Sequence, residues 1–137
     1  MTTIERKCQA IDVDAALAKV GEDWDLLGEL AELFCQECPK LLSVLRRAIA
    51  ASDAPATRSA AHSLKGSVAV FSANQATALV VRLEDRARAG QLTSAAETLT
   101  ELEAELEKVC GDLRLVASTD APRNTGTRSA GERKEIS

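Results

Sequence analysis

Histidine and aromatic residues are what this chain of 137 residues has least of: one histidine, one tryptophan, two phenylalanines and no tyrosine, with aromatics at 2%. Sandwiches built on aromatic and β-branched side chains are therefore disfavoured. The 45% hydrophobic content must come from Leu, Val, Ile and Ala, which suits packed helices. A single histidine, His62, allows no multi-histidine metal cage and gives a Ser-His-Asp site no second imidazole to draw on. No run of about 18 apolar residues is present to cross a bilayer. The opening residues lack the basic start and apolar stretch of a secretory signal, so a cytosolic protein is expected. No glycine-rich phosphate loop of the P-loop or dinucleotide kind occurs, and the chain is not expected to use ATP itself. Seventeen Lys and Arg against 21 Asp and Glu leave a formal charge of −4. That acidic balance repels phosphate backbones and anionic lipid heads, which argues against nucleic acid and membrane as partners.

What the sequence does have is helical periodicity over a length that fits one domain. Asp12 to Val20 reads as a short opening helix with Asp12 as N-cap and Gly21 as stop. From Asp23 to Ala51, apolar positions 27, 30, 34, 38, 41, 45 and 48 recur every three or four residues. Pro39 falls inside that span and predicts a kink near residues 35–39, or two abutting helices. Ser52-Asp53-Ala54-Pro55 opens a third helix that runs to about Phe71, with Ala61, Leu64, Val68 and Phe71 inward. After Ser72-Ala73-Asn74 a fourth follows to about Ala89, burying Ala76, Leu79, Val80, Leu83 and Ala87, and Gly90 ends it. The last helix carries Leu92, Leu99, Leu106 and Leu113 at sevens, with Ala95, Leu102, Val109 and Val116 between them. The expected fold is all-α: an antiparallel four-helix bundle with a short additional N-terminal helix. Residues 1–9 read as a leader, 10–117 as the bundle, and 118–137, poor in apolar residues, as a disordered, flexible tail.

Cys8, Cys35, Cys38 and Cys110 are expected to be reduced thiols. Cys35-Gln36-Glu37-Cys38 supplies half a tetrahedral metal site and no second pair matches it. The two are read as small buried hydrophobes, and no metal is expected.

His62 stands apart. On a helical wheel it lies about 140° from the centre of its helix's apolar stripe, so it is predicted to be exposed. Lys65, at i+3, brings an ammonium near enough to stabilise an anion held by the ring. Gly66, at i+4, costs a helix interior about 1 kcal/mol relative to Ala. Its benefit is the missing side chain where a partner would approach the ring, and Ala61 and Ala69 leave room as well.

The run Ala61-His62-Ser63-Leu64-Lys65-Gly66-Ser67 resembles the signature of histidine-containing phosphotransfer (HPt) domains, the carriers of multistep phosphorelays. Helix number and order agree over roughly residues 10–117, including Phe34 and Pro39 before the histidine helix and Leu83-Glu84 after it. The resemblance implies that His62 accepts a phosphoryl group, with Lys65 as the cation beside it. Glu84 matches the family's Gln or Glu that holds the other ring nitrogen. Gly66 would be space for a docking receiver domain, with Ala69, Arg58 and Val70 around it. It further implies receiver domains and a sensor (hybrid) histidine kinase as partners, no intrinsic cofactor, and Mg²⁺ supplied by the receiver. On its own wheel Glu84 falls about 85° from its stripe centre, at a flank that can reach His62 if the two helices are antiparallel neighbours. One departure is the turn Val70-Phe71-Ser72-Ala73, where many members have an Ile-Gly-Ala-like sequence.

Blander readings stand beside this one. Lys65 alone would be a solvated charge, and Glu84 an ordinary i+4 partner for Arg88. A helical adaptor that binds a receiver or kinase without being phosphorylated would use the same face. A homodimeric scaffold joined through the 92–116 heptads is a third reading. Sedimentation is expected to report a monomer of 14.6 kDa, and twice that mass would establish the dimer.

Overall fold

The computed structural model describes residues 8–118, all of whose regular structure is helical. Five helices follow one another: α1 Val13–Lys19, α2 Trp24–Ala50, α3 Ala54–Val70, α4 Asn74–Arg88 and α5 Leu92–Ser118. The last four pack in a ring, α2 against α3 and α5, and α4 against the same two. The antiparallel four-helix bundle with a short extra N-terminal helix is therefore what the chain forms. The expected tail falls, apart from Ser118 at the end of α5, outside the described residues. So do residues 1–7 of the expected leader, while Cys8 and Gln9 lie against α5. There the Gln9 and Ala10 amides donate to Asp112 Oδ2 at 3.0 and 2.7 Å.

Burial follows the predicted stripes closely in α3 and α4, where every residue assigned inward is buried. In α5 the heptad leucines 99, 106 and 113 are buried and Leu92 is partly so. Because this seam faces α2 and α4, it is consumed within the chain. Two expectations about α2 need correction, the alternative of two abutting helices at Pro39 and part of the buried stripe. The helix runs unbroken through Pro39. Pro39 sits on the exposed side, where water can satisfy the carbonyl its missing N–H leaves free, so no second helix is needed. The buried stripe also passes through Ala31 and Leu42, while Leu30 and Leu41 are only partly buried. Adjacent apolar residues lie about 100° apart on a helix, and packing selects between them. Phe34 meets Phe71 with ring centroids 5.6 Å apart, joining α2 to the end of α3.

All four connections use one device. Gly21, Ser52, Ser72 and Gly90 each take positive φ directly after a helix. At each, the amide of that residue and of the next turn back onto the last helical carbonyls: Ser52 N to Ile49 O and Asp53 N to Ala48 O, Ser72 N to Ala69 O and Ala73 N to Val68 O. This is the Schellman arrangement. Asp53 then caps the start of α3 by accepting from the Ala56 amide at 3.1 Å, while α4 starts at Ala73 without a side-chain cap. Short reversals of this kind oblige consecutive helices to lie antiparallel.

Ser72 occupies the place of the glycine expected from the family turn, at φ 52°. Lys19 Nζ donates to its Oγ at 2.9 Å and to the Ala69 carbonyl, and Asp12 N donates to its carbonyl at 3.2 Å. Ser52, at φ 56°, is exposed and has no comparable anchors. Ser52→Gly is therefore expected to raise stability by about 0.5–1 kcal/mol in urea unfolding, through relief of the left-handed backbone. Ser72→Gly should gain less, since it also gives up the Lys19 hydrogen bond.

Candidate functional site

Ala61 and Leu64 are fully buried on α3, and that fixes the helix's rotation. His62, one step round from Ala61, is turned outward, and its side chain is 71% exposed. On α4, Leu83 points into the core and Glu84 takes the flank facing α3, where it is buried at 6% exposure. Antiparallel packing of the two helices then brings residues 62, 65 and 84 together. His62 Nδ1 lies 3.1 Å from Glu84 Oε2, and Lys65 Nζ donates to Glu84 Oε1 at 3.0 Å.

The chemistry of this triad can be read from its acceptor. Burial acts to raise the carboxyl pKa of Glu84, but the hydrogen bonds and charges of Lys65 and His62 outweigh it and leave the group lowered. Glu84 is therefore an ionised carboxylate, which only accepts hydrogen bonds. Nδ1 must be the protonated nitrogen. In the neutral imidazole the lone pair then resides on Nε2, on the far side of the ring from its anchor.

His62 borders a shallow depression of about 540 Å³ whose lining also includes Arg58, Ser59, Lys65, Glu84 and Arg88. Three cations and one carboxylate make this a positive patch on an acidic protein, suited to an anionic group. Sequence reasoning missed Arg88 as part of it. The signal was available, because Arg88 is one turn beyond Glu84 on the same face of α4. Its ion pair is with Asp85, at 2.8 Å, and not with Glu84. Lys65, read from its spacing as a cation for the ring's cargo, pairs with Glu84.

The remaining positions divide. Gly66 is exposed, and a Cβ built there would meet nothing within 4 Å; no packing within the chain demands a glycine. Ala69 is exposed, with its carbonyl taken by Lys19. Val70, 36% exposed, does not line the depression around His62. It belongs to an apolar groove of about 210 Å³ between α2 and α3, with Leu30, Leu33, Phe34 and Phe71. Among the described residues, no helix is long and apolar enough to cross a membrane, and no group of three or more His, Cys, Asp or Glu is arranged to hold a metal ion.

Compared with known families, residues 29–112 match the model described as Hpt domain. No curated protein and no solved structure matches the chain.

A lowered carboxyl stabilises the fold above its unfolded pKa, and that contribution disappears as pH falls through the folded value. Glu84→Gln should therefore be less stable than the native chain at neutral pH. The gap should close as the pH drops below the ordinary carboxylate range, and urea melts of both proteins across acid pH would show it. A gap unchanged by acid would mean that charge on Glu84 is not what holds the triad.

Proposed function

The chain belongs to the Hpt-domain family, phosphocarrier modules of histidine phosphotransfer in phosphorelays, and from that premise we propose that His62 is its phosphoacceptor. In this reading Nε2 attacks the phosphorus of an aspartyl phosphate on a receiver domain. The P–O bond to the aspartate breaks, the carboxylate leaves, and the phosphoryl group stays on Nε2. A second receiver's aspartate takes it off by the reverse step. The observation that carries this reading is the anchoring of Nδ1 on buried Glu84, which directs the basic nitrogen of an exposed ring outward.

Each neighbour has a part. Phosphorylation of Nε2 leaves a positive charge on the ring, which Glu84 offsets through Nδ1–H. Lys65, Arg58 and Arg88 line the depression where the phosphoryl oxygens arrive, and the receiver supplies Mg²⁺ from its own side. Such transfer depends on in-line positioning and charge stabilisation more than on covalent chemistry from the carrier. Gly66 and Ala69 leave the approach to the ring open, and Val70 with the apolar α2–α3 groove gives a receiver domain a surface to dock on, with Arg58 at the rim. We place the protein in the cytosol as a monomer between a sensor kinase and its receivers.

Two variants test this. His62→Gln should fold normally and take no label from a phosphorylated receiver. The native label should survive base and be lost in acid, as a phosphohistidine is; retention of that label in the variant would end the assignment. Gly66→Ala should be more stable than the native chain by about 0.5–1 kcal/mol yet accept phosphoryl groups more slowly. Equal transfer rates would show that Gly66 is not kept open for a partner.

A further inference from the structure

Glu84 divides its two carboxylate oxygens between two donors. Oε2 faces His62 Nδ1 at 3.1 Å, and Oε1 accepts from Lys65 Nζ at 3.0 Å. To fix the tautomer of a ring, one neutral acceptor beside Nδ1 is enough, since the carbonyl oxygen of an amide takes the same proton. The chain places a charge there instead, on a side chain only 8% exposed, and a buried carboxylate is a costly means of orienting an imidazole. Orientation explains the contact but not the charge.

The two states of the ring differ in what they demand of that charge, an argument that rests on the phosphoacceptor reading of His62 given above. With Nε2 empty the ring is neutral, and Nδ1–H is an ordinary donor. With a phosphoryl group on Nε2 and the proton still on Nδ1, the ring is a cation, and the contact with Oε2 becomes a charge-assisted hydrogen bond between ions. The phosphoryl oxygens are on the opposite edge of the ring, toward the depression lined by Arg58, Lys65 and Arg88, where cations and water screen them from the carboxylate. Glu84 therefore acts chiefly on the ring's near edge. An interaction that strengthens in one state alone moves the equilibrium toward that state.

We propose that the charge on Glu84 makes this chain a phosphoryl reservoir: it stabilises the loaded ring over the empty one and shifts exchange with a receiver aspartate toward the loaded carrier. When the group leaves, a receiver carboxylate oxygen forms the new P–O bond, the Nε2–P bond breaks, and its electron pair returns to Nε2. The Nδ1 proton stays in place, so the ring passes from cation to neutral and its bond to Glu84 weakens. A charge-assisted hydrogen bond is about twice as strong as a neutral one, a difference that corresponds to about tenfold in the exchange equilibrium.

The test compares the native chain with Glu84→Gln, in which the amide oxygen keeps the bond to Nδ1–H and Lys65, with a side chain 35% exposed, turns to water. Both are loaded with phosphoramidate, which needs no receiver, and mixed with the same isolated receiver domain. The exchange is also run from that receiver loaded with acetyl phosphate, until the two directions meet. The equilibrium constant for the loaded carrier should be about tenfold lower in the variant. Because the chain has one histidine, selective ¹⁵N labelling reports a single ring, and before loading it should be protonated on Nδ1 in both proteins. In the native chain alone, the Nδ1 proton resonance should move downfield on loading, a result that does not depend on the variant. An equal or higher equilibrium constant in the variant, an unloaded variant ring protonated on Nε2, or a native Nδ1 proton unmoved by loading would each overturn the reservoir while leaving His62 as the phosphoacceptor. The lack of any acid-labile, base-stable label from either donor would remove the phosphoacceptor reading, and the reservoir with it.

Discussion

A carboxylate held ionised away from water is the constraint on which the working face rests. Glu84 is buried, and its charge is tolerated because Lys65 and His62 each give it a hydrogen bond from the neighbouring helix. Removal of either partner would leave that charge poorly compensated, a costly state in a protein interior. The same contact fixes the register of α3 against α4, selects the tautomer of the ring, and keeps Lys65 at the edge of the depression. Fold and chemistry thus share one group.

The surrounding structure holds α3 at both ends. Asp53 caps its start, and at its finish the Ser72 turn is held by Lys19 from α1 and by the Asp12 amide. The short helix α1 places Val13, Ala16 and Leu17 in the core, and its last lysine reaches the segment that closes the histidine helix. The outward faces of the bundle can then differ in character. One wall presents cations around an imidazole, another an apolar groove, and a third a cluster of thiols.

Much of this was legible from residue spacing because helical periodicity is a local property. The inward faces of α3 and α4, the outward turn of His62 and the flank position of Glu84 all follow from 3.6 residues per turn once the leucines and valines are placed. Less legible was whatever depended on contact between distant segments. Pro39 looked like a break because its lost hydrogen bond is evident in sequence, whereas its placement on the wet side is decided by packing. Ala31 over Leu30, and Leu42 over Leu41, were choices between neighbours that the wheel separates poorly. Arg88 was assigned by spacing to Glu84, but that carboxylate was taken by partners from α3. Cys110 joined Cys35 and Cys38 through the α2–α5 interface, a relation no local pattern contains.

His62 stands in the middle of a helix clamped at both ends, and under the role proposed for it that has a kinetic meaning. Its nitrogen would not swing from a giver to a taker as a side chain on a mobile arm would. Both would have to come to the same spot and present their aspartates along the same line, so each would exclude the other while it was there. Traffic through such a post would be single file: turnover would be limited by how quickly one visitor clears the face for the next, and an abundant receiver with nothing to deliver would act as a brake.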